Sequence, residues 1–112
     1  MRINKELMKG STAILVLSLL RDCDMYGYQM LQELKKRSGD AFDLKEGTLY
    51  PVLHGLENAL AVHAYWQESS GRKRKYYRLS QKGKQLLEEK REEWNAYAKA
   101  VNQVIGGARL EG

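Results

Sequence analysis

One short stretch of the chain concentrates positive charge. Ser69-Ser70-Gly71 favours a turn, and after it five of seven consecutive side chains are cationic: Arg72, Lys73, Arg74, Lys75 and Arg78. Lysine and arginine on an exposed turn attract phosphate groups whatever the base sequence, and salt weakens the attraction. We expect Arg72, Lys73 and Arg74 to contact nucleic acid. The alternative is a solvated loop without a partner.

A predicted helix that begins near Gly47 supplies a second set of candidate residues. Its apolar side chains recur at helical spacing and form one stripe, made of Leu49, Val52, Leu53 and Leu56. The opposite face carries Gly47, Thr48, Pro51, His54, Gly55 and Asn58. A helix of this kind fits the major groove of DNA, where its uncovered side chains read base edges. We predict DNA contacts by Thr48, Pro51 and His54, and for His54 plain surface exposure is the alternative.

The sequence lacks the residue combinations of catalytic and metal sites. It shows no phosphate-cradling glycine loop, no nucleophile with a base and no paired carboxylates in a plausible pocket. The single Cys23 and the two histidines, His54 and His63, cannot form an internal disulfide or an ordinary zinc site. We expect no enzymatic activity, metal or cofactor, and a buried or half-buried thiol at Cys23.

Two tyrosines close to the candidate residues have two interpretations each. Tyr26 and Tyr50 lie near predicted helix starts, from which a phenol can reach a phosphate oxygen. Tyrosine is also common as half-buried packing. Both residues are therefore candidates for DNA contact, with packing as the alternative. Tyr76 and Tyr77 point to opposite faces of their predicted strand, so one of them should be buried.

Length and composition limit the chain to one domain. It has 112 residues, a formal net charge of +5 and 43% hydrophobic residues, enough for one core without disulfides. The positive field attracts nucleic acid, anionic membranes or acidic proteins. The longest apolar run, Ala13 to Leu20, is too short to cross a membrane, and residues 1–10 lack a secretory layout. We expect a cytoplasmic protein with no membrane partner.

Hydrophobic periodicity predicts four helices and one hairpin. The first helix runs from Lys5 to Arg21 and is apolar on two sides. The second follows cap residues Asp22 and Asp24 and ends near Ser38-Gly39. After the third helix, Val62, Ala64 and Trp66 alternate with polar residues and indicate a half-buried strand, whose partner is residues 75–79. Ser80 can cap a long last helix that Gly106-Gly107 ends.

The last helix has an apolar seam that one small domain cannot cover. Leu87, Trp94 and Val101 recur every seven residues, and Lys90, Tyr97 and Val104 follow each by three. In a two-fold dimer, this seam and the apolar first helix cover one another. We predict an interface made of Leu87, Trp94, Tyr97, Val101 and Val104. The two third helices would then meet half-sites about 34 Å apart.

The order of these elements is that of a winged helix-turn-helix followed by one long helix. The predicted fold class is mainly α with a small β-hairpin. Residues 1–80 form the DNA-binding domain, whose first helix also lies at the dimer interface. Residues 81–112 form the dimerisation helix. The flexible basic turn serves as the wing, which holds phosphates or enters the minor groove.

Four sequence blocks between about Met8 and Gly83 resemble those of PadR-type transcriptional regulators. They are Met25-Tyr26-Gly27-Tyr28, residues 45–51 (KEGTLYP), Leu56-Glu57 and residues 71–79 (GRKRKYYRL). The single last helix is similar to the short subclass of the family. The resemblance implies a homodimeric bacterial repressor on an inverted-repeat operator, released by a small, often aromatic molecule or a stress signal. The chain departs from the family at 58–62, where Asn58-Ala59-Leu60-Ala61-Val62 lacks the usual glycine.

The resemblance also gives Trp94 a second interpretation. Some short members of the family hold flat aromatic compounds at the dimer centre beside a tryptophan of the last helix, and Trp94 is at the position of that tryptophan. Met8, Ala98 and Val101 are then candidates for the lining of the ligand site. The alternative is simple interface packing. The sequence thus predicts a sequence-specific homodimeric repressor of double-stranded DNA, released by a planar aromatic ligand. The rival hypothesis is a winged-helix module whose last helix docks a partner protein.

Overall fold

The computed structural model describes residues 1–107, and it is mainly helical with one small sheet. Its elements are α1 (Lys5–Met8), α2 (Thr12–Asp22), β1 (Met25–Tyr26), α3 (Gly27–Arg37), α4 (Glu46–Asn58), β2 (Val62–Ser69), β3 (Arg72–Leu79) and α5 (Gln81–Ile105). The predicted fold class is confirmed. Residues 108–112 of the predicted dimerisation segment lie outside the described residues. Within residues 1–107, no helix is both long and apolar enough to cross a membrane.

The predicted first helix is divided into α1 and α2. The carbonyl oxygen of Met8 accepts hydrogen bonds from the Ser11 amide at 2.9 Å and from the Thr12 hydroxyl at 3.0 Å. These bonds replace the helical bond from the Thr12 amide, so the chain turns at Gly10-Ser11 before α2 begins. The prediction of one continuous helix was therefore wrong.

The segment after α2 forms a strand that sequence periodicity did not predict. β1 pairs antiparallel with β3, with Met25 opposite Tyr77 and Tyr26 opposite Tyr76, so the sheet has the order β1-β3-β2. α3 begins directly after Tyr26 and receives no side-chain cap, so the predicted capping of this helix by Asp22 and Asp24 is wrong.

The thiol of Cys23, between α2 and β1, is exposed. The expectation of a buried or half-buried side chain was wrong.

The hairpin turn is shorter than the predicted turn at Ser69-Ser70-Gly71. The five cations that follow it, which we call the basic cluster, belong to strand β3. Only Ser70 and Gly71 connect β2 to β3, and both have positive φ, at 53° and 78°. A two-residue loop with this geometry matches the twist of the flanking strands. Arg72, Lys73 and Arg74 are paired with residues of β2, so the prediction of a flexible basic turn is corrected to a regular strand.

The core lies between α2, α3, α4 and the inner face of the sheet. Its fully buried side chains include Val16, Leu17, Met30, Leu49, Leu53, Val62 and Tyr77. The predicted stripe of α4 is confirmed for Leu49, Leu53 and Leu56, while Val52 is partly buried. Trp66 was expected to be half-buried, but it is 66% exposed because it lies beyond Val62 and Ala64 on the part of the hairpin that leaves the core.

α5 joins the same core through its first two turns. Its N-cap, Ser80, accepts a hydrogen bond from the Gly83 amide at 3.0 Å, as predicted. Gly83 is buried so closely that a Cβ there would lie 2.1 Å from the Ala61 carbonyl oxygen. Leu87 is 1% exposed within the core. Beyond Leu87 the helix leaves the core and ends, as predicted, at Gly106-Gly107.

The end of α4 adopts a regular helix cap, although the sequence lacks the glycine that the family usually has there. The Ala61 amide donates to the Leu56 carbonyl at 2.9 Å, and the Leu60 amide donates to the Glu57 carbonyl at 3.0 Å. These are the two bonds of a Schellman motif, whose left-handed position is usually glycine. Here Leu60 occupies it with φ = 61°. A side chain in this conformation costs about 1 kcal/mol or more.

We predict that Leu60→Gly stabilises the protein by about 1 kcal/mol, because it removes the strain of a side chain at positive φ. Urea denaturation followed by circular dichroism measures the change in free energy of unfolding. The matched control is Ala59→Gly, one residue earlier at φ = −80°, where glycine only adds freedom to the unfolded chain and should destabilise. Equal effects of the two substitutions would contradict the strain at Leu60.

Candidate nucleic-acid interface

The predicted reading face of α4 is open to solvent. Pro51, His54 and Asn58 are exposed or partly exposed, and Thr48 is partly buried beside the start of the helix. α3 and α4 pack on each other, and the connecting segment is anchored by buried Leu44. Because the apolar stripe points into the core, the polar face must point outward. The structure therefore presents Pro51 and His54 on one accessible surface, with Thr48 at its edge.

Tyr50 has a packing role that joins two of the sequence blocks. Its side chain is partly buried and lies against the first residue of α3, Gly27. A Cβ at Gly27 would lie 2.3 Å from the Tyr50 hydroxyl oxygen, so only glycine leaves room for the ring. This contact favours the packing interpretation of Tyr50, and it sets how α4 lies against the start of α3.

Strand β3 divides the basic cluster between two faces of the sheet. Alternation along a strand places Arg72, Arg74 and Arg78 on the outer face, and Lys73 and Lys75 on the face that carries buried Tyr77. Arg78 donates to the Asp24 carboxylate at 3.2 Å. Within the described part of the chain, the other four cations form no ion pair with a carboxylate. Their charge remains available to a ligand.

Sequence reasoning missed a network on the outer face of the sheet. Asp24 accepts hydrogen bonds from Arg78 and from the Tyr65 hydroxyl, the latter at 2.6 Å. The bond to Asp24 raises the pKa of Tyr65 above its ordinary value, because it favours the protonated phenol. The sequence indicates only a helix cap at Asp24, which lies 41 residues from Tyr65. No local pattern could reveal this contact.

Tyr26 completes the outer face from β1. Its ring meets the ring of Tyr76 edge-on, with centroids 5.4 Å apart. The guanidinium carbon of Arg74 lies 4.5 Å from the centroid of the Tyr26 ring. Tyr76 is partly buried on the outer face, and Tyr77 is buried in the core, as the strand alternation predicted.

The second half of α5 exposes apolar side chains. Trp94 is 46% exposed and lies beside Tyr97, with ring centroids 6.0 Å apart; Val104 and Ile105 are also exposed. An apolar groove of about 500 Å³ lies between Trp94 and the α1–α2 region, where Leu7 and Ile14 line it. Of the predicted ligand residues, the groove brings Met8 and Trp94 together.

The other predicted residues lie outside this groove or are enclosed. Ala98 and Val101 are half-buried further along α5 and do not line the groove. Met8 is 4% exposed, so it contributes only to the floor of the groove. Leu87, a predicted interface residue, lies in the chain's own core. The other predicted interface residues are exposed or half-buried: Trp94, Tyr97, Val101 and Val104.

The arrangement of α2, α3 and α4 with the β1-β3-β2 sheet defines the winged helix-turn-helix class of proteins. α4 occupies the position of the reading helix in this class, and the β2–β3 hairpin occupies that of the wing. Comparison with known proteins identifies the family. The model of the Transcriptional regulator PadR-like family matches residues 16–89. The chain belongs to this family of transcriptional regulators, which confirms the resemblance found in the sequence.

Individual relatives are similar over nearly the whole chain. A PadR family transcription regulator from Clostridium difficile is 38% identical, with a TM-score of 0.71 over 84% of this chain and 97% of that chain. A transcriptional regulator from Clostridium thermocellum is 30% identical, with a TM-score of 0.83 over 90% of this chain and 96% of that chain. The transcriptional regulator Rv3488 of Mycobacterium tuberculosis is 28% identical, covering 92% of this chain and 91% of its own length.

We predict that Gly27→Ala lowers the free energy of unfolding by about 2 kcal/mol, because the added methyl group displaces the Tyr50 ring. Urea denaturation measures the change. The double variant Gly27→Ala/Tyr50→Phe should recover part of the loss, since the closest atom is removed. Gly55→Ala on α4 is the control: a methyl group there meets no atom within 4 Å, and alanine favours the helix. Unchanged stability of Gly27→Ala would contradict the contact.

Proposed function

We propose that the protein is a homodimeric repressor that binds an inverted-repeat site in double-stranded DNA and performs no catalysis. α4 enters the major groove and reads base edges with Thr48, Pro51 and His54. The wing binds the flanking phosphates through Arg72, Lys73 and Arg74. Bound protein excludes the polymerase from the promoter. The site of action is the compartment that holds the chromosome, the cytoplasm of a bacterium.

One observation carries the DNA-binding proposal. The exposed polar face of α4 lies in the same domain as a wing whose cations, Arg78 apart, have no carboxylate partner in the described part of the chain. The polar face of α4 without nearby cations would bind DNA weakly. The cations of the wing without a helix that fits the major groove would bind DNA without sequence specificity. The net charge of +5 adds a long-range attraction toward a polyanion.

The exposed seam of α5 supports the dimer. Trp94, Tyr97 and Val104 are exposed on α5, and Leu7 of α1, which is 72% exposed, lies near Trp94 and Tyr97. A contiguous apolar surface of this kind is normally covered by a partner, and in a two-fold dimer the two copies cover each other. In this proposal residues 1–80 bind DNA and residues 81–112 dimerise, although the first two turns of α5 also belong to the core.

The groove beside Trp94 supports a regulated dimer. In the proposal a planar aromatic molecule stacks on the Trp94 indole at the dimer centre and favours a dimer whose half-site spacing no longer matches the operator. The ligand-bound dimer then leaves the operator, because its half-site spacing gives it a lower affinity for the DNA than that of the free dimer. Interface packing by Trp94 alone is the simpler alternative, and it leaves the repressor without this ligand.

The same exposed seam also favours a second candidate, a module whose α5 docks a different protein. Sedimentation velocity separates the two functions. A dimer that forms without any other component supports the repressor. A monomer that leaves duplex DNA from its own promoter unshifted in a gel would support the docking module.

We predict that neutralising the wing with Arg72→Gln, Lys73→Gln and Arg74→Gln together weakens binding to all duplex sequences alike. The slope of log affinity against log salt should flatten by about 0.9 for each phosphate that the variant no longer neutralises. Fluorescence anisotropy of a labelled duplex between about 50 and 200 mM salt measures it. The control carries the same charge change on α5: Lys82→Gln, Lys84→Gln and Lys99→Gln. Equal losses of affinity in both triple variants would show that net charge alone governs binding and would contradict the wing contact.

We predict that a planar dye such as proflavine quenches the Trp94 emission in the absence of DNA. Because the chain has two tryptophans, the assay uses the Trp66→Phe variant, which removes the wing signal and leaves the groove intact. Trp94→Ala should abolish the response. Saturating dye with no change in the emission of Trp66→Phe would contradict a ligand site at Trp94 and leave the packing role.

A further inference from the structure

Three tyrosine rings form a row across the outer face of the sheet, and each end carries one arginine. Tyr76 in the centre stacks on Tyr65, with centroids 5.7 Å apart, and meets Tyr26 edge-on. Arg78 lies over the Tyr65 ring at 5.1 Å, and Arg74 lies over the Tyr26 ring at 4.5 Å. The two arginines therefore lie on the same face of the same strand, and each guanidinium lies over a tyrosine ring.

The two arginines differ in their polar partners. Arg78 donates from Nε to the Asp24 carboxylate, so its charge is matched within the chain. The Nε of Arg74 is enclosed by the protein and has no hydrogen-bond partner among the described residues. Enclosed guanidinium donors are nearly always paired in folded proteins. Arg74 is thus held on an aromatic ring without the carboxylate that holds Arg78.

We propose that Tyr26 is a positioning residue for DNA binding, whose ring holds the Arg74 guanidinium ready for a phosphate of the duplex. This inference rests on the proposed function. A guanidinium binds a phosphate through two parallel hydrogen bonds, which requires its plane to be oriented. An arginine already stacked on a ring loses less rotamer freedom on binding than a free one. The Tyr26 hydroxyl needs no contact with DNA in this role.

The two ends of the wing's outer face have different roles in this proposal. Arg74 gives a phosphate contact through its terminal Nη groups, which are not enclosed and donate no hydrogen bond within residues 1–107. Arg78 gives none, because Asp24 already accepts from it and Tyr65 donates to the same carboxylate. Arg78 therefore provides a matched control for Arg74: the same residue type on the same face of the same strand, and also stacked on a tyrosine.

The test measures affinity and salt slope for a labelled duplex of random sequence, because a phosphate contact does not depend on base sequence. We expect Arg74→Gln to flatten the slope by about 0.9 and Arg78→Gln to leave it unchanged. Tyr26→Phe keeps the ring and should bind within about twofold of the unaltered chain. Tyr26→Leu should bind about three- to fivefold more weakly. The double variant Tyr26→Leu/Arg74→Gln should bind no more weakly than Arg74→Gln alone.

Two results overturn the positioning role while DNA binding stands. One is an equal loss of affinity in Tyr26→Phe and Tyr26→Leu, which assigns the contact to the hydroxyl itself. The other is multiplication of the two losses in the double variant, which makes the residues independent. An unaltered chain that binds no duplex overturns the proposed function and this inference with it.

A second variant covers the case in which Tyr26→Leu fails to fold. Arg74→Lys keeps the charge but lacks the planar group that stacks on the ring. It should bind about three- to fivefold more weakly than the unaltered chain. Full affinity in Arg74→Lys would show that charge suffices, and it would overturn the role of the ring.

Discussion

The antiparallel pairing of β1 with β3 is the constraint on which the rest of the proposed DNA-binding surface depends. The three consecutive residues at β1 and the start of α3 make contacts with three different parts of the structure. Met25 is buried in the core opposite Tyr77, Tyr26 places its ring under Arg74, and Gly27 begins α3 beneath Tyr50. The wing and the start of α3 are therefore held together by one piece of backbone. A shift in this pairing would move both the wing and the start of α3, against which Tyr50 of α4 packs.

The electrostatics of the wing follow from strand geometry more than from charge count. A strand sends alternate side chains to opposite faces, so five neighbouring cations do not form one patch. Asp24 then forms an ion pair with Arg78 on the outer face, whereas Arg74 has no carboxylate partner among residues 1–107. Nearby, the bond to Asp24 keeps Tyr65 protonated to a higher pH than usual, because its pKa is raised. The outer face is ordered by these contacts before any ligand arrives.

The third and last helices were predicted well from the sequence, whereas the break in the first helix and the short or non-local features were not. α4 has a clear apolar stripe and begins one residue before the predicted Gly47, and α5 lies between its predicted cap Ser80 and its predicted end at Gly106-Gly107. β1 has only two residues, too few to show a period. Leu60 has the left-handed conformation that glycine usually adopts at a helix end. The contact between Asp24 and Tyr65 joins residues that are far apart in the sequence. Such features depend on tertiary packing, which one sequence does not reveal.

In the proposed function, α4 and the wing form one continuous DNA-binding surface. The most direct test is to record amide resonances by NMR while promoter duplex is added to the labelled protein. We expect the amides of Thr48, His54 and Arg72 to Arg74 to shift together. Those of Lys82 and Lys84 at the start of α5 should stay in place. Shifts confined to α5, or to the wing without α4, would contradict the claim.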